Sequence, residues 1–101
     1  MGSLDEVEKL WLEFYELPFP VGLAGEEING ICVTTLDTFT AGCIDTFVSK
    51  KGKLDTKRIS ILVQCQKELR TIVENIDGEN GKYFEKLLGL TSLILREVKP
   101  V

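Results

Sequence analysis

Apolar side chains recur every three or four positions through four separated stretches of this chain, a rhythm that fits amphipathic helices. In the first stretch Leu4, Val7, Leu10, Trp11, Phe14 and Leu17 make one stripe. Ser3 and Glu6 form an S-x-x-E capping box, and Asp5 with Glu6 suits the positive end of a helix dipole. Pro18 and Pro20 end the stretch, because a proline nitrogen donates no hydrogen bond and its ring restricts the residue before it. The pattern predicts a helix over residues 4–17.

A second helix is expected over residues 26–51, with Gly25 as its N-cap and Gly52 as a left-handed stop. Ile28, Cys32, Leu36, Phe39, Cys43 and Phe47 keep helical spacing and form its core stripe. Asn29-Gly30 is a pair that favours hairpin turns. The run Ile31-Cys32-Val33-Thr34-Thr35 lacks clean alternation, however, so the helix is the preferred reading. The third helix, residues 56–76, starts at Asp55 as N-cap and places Ile59, Leu62, Gln66, Leu69, Val73 and Ile76 at a and d positions. Residues 77–81 read as a turn by composition.

The fourth helix is expected over residues 82–98. Its apolar arc, from Tyr83 and Phe84 to Leu95 and Val98, covers more than half its circumference. That is more than a peripheral helix needs, so this helix is either central or meets a second chain. A length of 101 residues suits one domain, residues 1–101. The expected fold is all-α, an up-down-up-down four-helix bundle. The apolar connector over residues 18–25 either folds back over one end of the core or serves as a recognition loop.

The chemistry is narrowed by an absence. With no histidine among the 101 residues, Ser/His and Cys/His nucleophile pairs and imidazole metal ligands are excluded. The three cysteines, Cys32, Cys43 and Cys65, are widely spaced and make no CxxC pair, which reads as reduced core cysteines of a cytosolic protein. A calcium loop starting at Asp77 fails, since Lys82 and Leu88 stand where its glycine and its bidentate glutamate belong. Asp37 and Asp45, with Glu26 or Glu27, are too far apart along a helix to hold one magnesium ion. Gly22-Leu23-Ala24-Gly25 lacks the lysine of a phosphate loop. No apolar run reaches the ~20 residues of a membrane span, and the N-terminus resembles no secretory signal. Neither cofactor nor metal is expected.

Charge is split along the chain. Residues 1–49 carry nine acids and one base, net −8, whereas residues 50–101 carry seven acids and eleven bases, net +4. Such a split suits complementary packing within one fold, or association between copies. The expected function is therefore non-catalytic: a small cytosolic interaction or regulatory protein, homodimeric. Its contact surface would draw on Phe19, Val21 and Leu23 of the loop, on the small-residue stripe containing Thr38, Gly42 and Thr46, and on Leu90 and Ile94 of the fourth helix. Two alternatives stand beside it. One is an apolar small molecule held between the helices. The other is a polyanion contact through Lys50, Lys51, Lys53, Lys57 and Arg58, although the acidic overall balance disfavours nucleic acid.

Overall fold

The computed structural model describes residues 3–100, and it is an all-α bundle of four helices packed against each other. Helix α1 (Ser3–Tyr15) leads into a proline loop with one 3-10 turn, Val21–Leu23. A hairpin of β1 (Glu27–Ile28) and β2 (Ile31–Cys32) precedes α2 (Val33–Ser49). Strand β3 (Lys53–Leu54) precedes α3 (Thr56–Asn75), and α4 (Gly78–Glu97) is followed by β4 (Lys99–Pro100). The pair β3–β4 is parallel and aligns Lys53 with Lys99 and Leu54 with Pro100. The Ser3 side chain, and with it the expected capping box, lies outside the described residues.

Two helix starts depart from expectation, while α1 and α2 each end two residues early, at Tyr15 and Ser49. Residues 26–32 are a hairpin, not the first turns of α2. Asn29 and Gly30 both have positive φ, 51° and 80°, as a two-residue hairpin turn of the twist-matched type demands. The strands are two residues each, too short for alternation to show, so the turn chemistry alone carried the signal. Helix α4 starts at Gly78, not at residue 82, because the polar stretch read as a turn is its first coil, with Gly81 buried against the Ile76 carbonyl. The expected stop of α2 is present. Gly52 has φ 94° and donates to the Phe47 carbonyl at 2.8 Å. Asp55 caps α3, its carboxylate accepting from the Arg58 backbone N–H at 3.2 Å.

Helix α4 is central: it packs on α1, α2 and α3. Its wide apolar arc is thereby used within one chain, with Phe84, Leu87 and Ile94 fully buried. Burying each such side chain contributes roughly 1.5–3 kcal/mol. Facing them are Val7 of α1, Ile44 and Phe47 of α2, and Leu62, Leu69 and Ile72 of α3. Trp11 is 7 % exposed and stacks with Phe14 at 6.0 Å between ring centroids. Gln66, at a core-type position, donates to Ser92 Oγ across the α3–α4 seam at 3.1 Å.

The core stripe of α2 is rotated from the expected one. Val33, Leu36, Thr40, Cys43, Ile44 and Phe47 face inward, and Phe39 is 59 % exposed. Thr40 takes a core position because its hydroxyl donates back to the Leu36 carbonyl at 2.7 Å and also meets the buried Cys65 thiol.

Candidate functional site

The exposed Phe39 lines an open groove of about 600 Å³ between α2 and α3. Thr38, Gly42 and Thr46 line its α2 wall, and Ile61 with Asp55, Lys57 and Arg58 lines its α3 side. Two sets of residues expected separately, the small-residue stripe and part of the basic segment, therefore meet in one place. Gly42 does not serve a close helix crossing: a Cβ built there has nothing within 4 Å. Its missing side chain deepens the groove instead. Both Thr38 and Thr46 turn their hydroxyls back to the helix, to the Thr34 and Gly42 carbonyls at 3.0 and 2.9 Å, so they present methyl groups to the groove.

The basic segment is less cationic than its composition suggests. Arg58 is held by both carboxylate oxygens of Asp55, at 3.2 and 3.3 Å. Asp55 also stands in the smaller cleft, about 290 Å³, that Lys50 and Lys53 border, so an anion entering there meets a carboxylate. Desolvation is the largest single effect on Asp55 and opposes ionisation, but the Arg58 backbone N–H and guanidinium together outweigh it and hold its pKa below the usual value. Lys50, Lys51, Lys53 and Lys57 remain as cations without an ion pair among the described residues.

The remaining expected contact residues do not assemble. Leu90 and Ile94 are 2 % and 0 % exposed and belong to the chain's own core, which removes them from any free surface. Phe19 turns inward, edge-on to Tyr83 and Phe84 at 5.8 and 6.1 Å, and Leu23 also packs on the core. Of the three expected loop residues, Val21 alone stands out, 87 % exposed. The loop thus closes one end of the bundle.

Asp37 has a structural partner. Tyr83 donates to Asp37 Oδ1 at 2.8 Å, joining α4 to α2. Burial pushes the Asp37 carboxyl above its usual pKa, with the Tyr83 bond opposing, and burial together with the carboxylate pushes the Tyr83 phenol well up. Asp45 is exposed elsewhere on α2, so the two aspartates do not converge. Cys43 and Cys65 are buried, and burial raises both thiols. Cys32 is partly exposed at the start of α2, where the Thr35 hydroxyl donates to Sγ at 3.2 Å and lowers its pKa.

A second groove, about 370 Å³, runs between α1 and α4, and sequence reasoning missed it. Its walls were nonetheless spelled out. Glu6, Leu10, Glu13 and Leu17 are spaced four, three and four apart, and Lys86, Gly89, Leu93 and Arg96 three, four and three apart. Glu6, Leu10 and Glu13 lie on one face of α1, Leu17 follows just past its end, and the second set lies on one face of α4. The helices run in opposite directions here: Phe14, late in α1, meets Tyr83, early in α4, at 4.7 Å, while Glu6 and Arg96 line the groove together.

Among the described residues no helix is long and apolar enough to cross a membrane. No family model, curated protein or solved structure matches the chain.

Proposed function

We propose that this is a non-catalytic contact protein of the cytosol, which works by docking helix faces and pairs with copies of itself. The observation that carries this reading is Phe39: an aromatic side chain 59 % exposed, midway along a helix, beside a groove left open by Gly42. Large aromatics are common anchors of protein interfaces. Covering this one would contribute up to roughly 1.5–3 kcal/mol to docking. The methyl-lined wall and Lys57 suit an amphipathic helix with an acidic edge. Against catalysis stands the lack of histidine, together with the engagement of Asp37 and Tyr83 with each other.

The test is a photo-crosslinking amino acid in place of Phe39, with the same group in place of the exposed Glu74 as control. The reading expects one discrete protein adduct from position 39 in native extract and none from position 74. Equal, diffuse labelling from both sites would end it.

The polyanion alternative draws support from the same residue, since Phe39 lies in one groove with Lys57. It expects salt-sensitive binding of a single-stranded oligonucleotide that weakens on Lys57→Glu and on Phe39→Ala. Asp55, which lines this groove as well as the neighbouring cleft, speaks against it.

A further inference from the structure

The α1–α4 groove carries a charge pattern that selects its own occupant. Its floor is apolar: Leu10 and Leu17 remain 37 % and 36 % exposed, the buried Leu93 also lines it, and a Cβ at Gly89 would meet nothing within 4 Å. Glu6 and Glu13 edge it on the α1 side, and Lys86 and Arg96 on the α4 side. None of these four charges makes an ion pair or a side-chain hydrogen bond among the described residues. The two ion pairs between described side chains, Arg58–Asp55 at 3.2 Å and Lys82–Glu79 at 3.8 Å, lie elsewhere.

We infer that a second copy of the chain occupies this groove, related by a two-fold axis that runs along it. The inference rests on the reading of the chain as a self-pairing contact protein and names the surface and symmetry. Two copies facing each other through the groove have two ways to obey two-fold symmetry in the interface plane. An axis across the groove sets α1 on α1 and α4 on α4, with Glu against Glu and cation against cation. An axis along the groove sets α1 of each copy on α4 of the other. Position along the axis is then unchanged. Because α1 and α4 run oppositely, Glu13 meets Lys86 of the other copy and Glu6 meets Arg96 of the other copy. Every unpaired charge on the rim gains an opposite partner, and the leucine floors close on one another.

Size sets the strength. Helix α1 has 13 residues. That is a length of roughly 20 Å, and a helix pair is about as wide, so the patch is on the order of 400 Å² per copy. A patch of this size lies below the usual range of stable interfaces, so the dimer is weak, reversible and salt-sensitive.

Sedimentation of the full chain over a concentration series at low and high salt tests it. The expected result is a monomer–dimer equilibrium weakened several-fold by high salt. Lys86→Glu with Arg96→Glu should abolish the dimer, and adding Glu6→Lys with Glu13→Lys should restore it. The restored four-fold variant should not pair with the wild-type chain. Gly89→Phe, which fills the groove without altering charge, should also give monomers, and unchanged circular dichroism shows that each variant folds. A wild-type chain monomeric at all concentrations overturns the proposal, as does a dimer indifferent to the charge reversals or to Gly89→Phe. A monomer that still crosslinks a partner at position 39 sinks this pairing and self-association but leaves docking of another protein at Phe39 standing. A dimer without position-39 adducts does the reverse.

Discussion

The Tyr83 hydroxyl donates to Asp37 Oδ1 at 2.8 Å and so links the first turns of α4 to the first half of α2. Around it, Tyr83 packs against Phe14 at 4.7 Å and Phe84 at 4.9 Å. The bond therefore fixes a ring cluster on which α1 and the proline loop both rest. Tyr83→Phe removes the donor and leaves the carboxylate half-desolvated. The expected loss is about 1 kcal/mol in urea denaturation at pH 7, the low end for a bond to a charged group because water still reaches Asp37.

Asp37 also sets a pH dependence. Burial raises its pKa above the usual 3.8 in the folded chain, despite the opposing Tyr83 bond. The folded state therefore holds this proton more tightly than the unfolded state. Asp37's contribution to stability is fully present below 3.8 and is lost as pH rises through the raised native value. Asp37→Asn, which keeps an acceptor for Tyr83, should raise the melting temperature at pH 7, and the gain should vanish by pH 3.5. A gain constant across that range would contradict the assignment.

Gly30→Ala tests the hairpin. At φ 80° an L side chain is strained, so the substitution should cost roughly 1–2 kcal/mol. Gly22→Ala, in the same region but without positive φ and with nothing within 4 Å of the added carbon, should be close to neutral. Chemical denaturation of the two variants side by side reads the difference.

Two helical glycines should respond with opposite signs. A Cβ at Gly81 would stand 2.7 Å from the Ile76 carbonyl oxygen, so Gly81→Ala forces the start of α4 to move and should cost roughly 1–3 kcal/mol. Gly42→Ala enters open space in a helix interior and should stabilise by roughly 0.5–1 kcal/mol. If Gly42→Ala destabilised the isolated chain, the groove beside Phe39 would not be open.

Thiol reactivity should follow exposure and hydrogen bonding. Cys32 is partly exposed and its pKa is lowered by the Thr35 hydroxyl, whereas burial raises Cys43 and Cys65. Limited alkylation at neutral pH, mapped by mass spectrometry, should modify Cys32 first. Thr35→Val should slow that step.

The helices were legible because their buried faces repeat: the α3 stripe through Leu62 and Leu69 and the α4 arc through Phe84 and Leu87 read directly as apolar faces, and both are buried. Asp55 and Gly52 marked their boundaries for the same local reasons that hold in the structure. The α2 register failed at one pair. Hydrophobicity favours Phe39 over Thr40 for the interior, and a threonine that satisfies its own hydroxyl through the Leu36 carbonyl reverses that order without any trace in periodicity. Leu90 and Ile94 were misplaced for a different reason. A wide apolar arc looks like surplus until the number of helices around it is known, and here three pack on α4. The α1–α4 groove was spelled out as Glu6-Leu10-Glu13-Leu17 and Lys86-Gly89-Leu93-Arg96, but pairing those two faces required knowing that the helices are neighbours.

Trp11 is the chain's one indole, and it is held 7 % exposed within α1, between Phe14 and the outward-facing Tyr15 at 6.0 and 5.6 Å. Its fluorescence is consequently a built-in reporter for one helix. A shift of emission to longer wavelength ahead of any loss in overall ellipticity would mean that α1 peels from the bundle as a separate unit, whereas coincident curves would mean that all four helices come apart in one step.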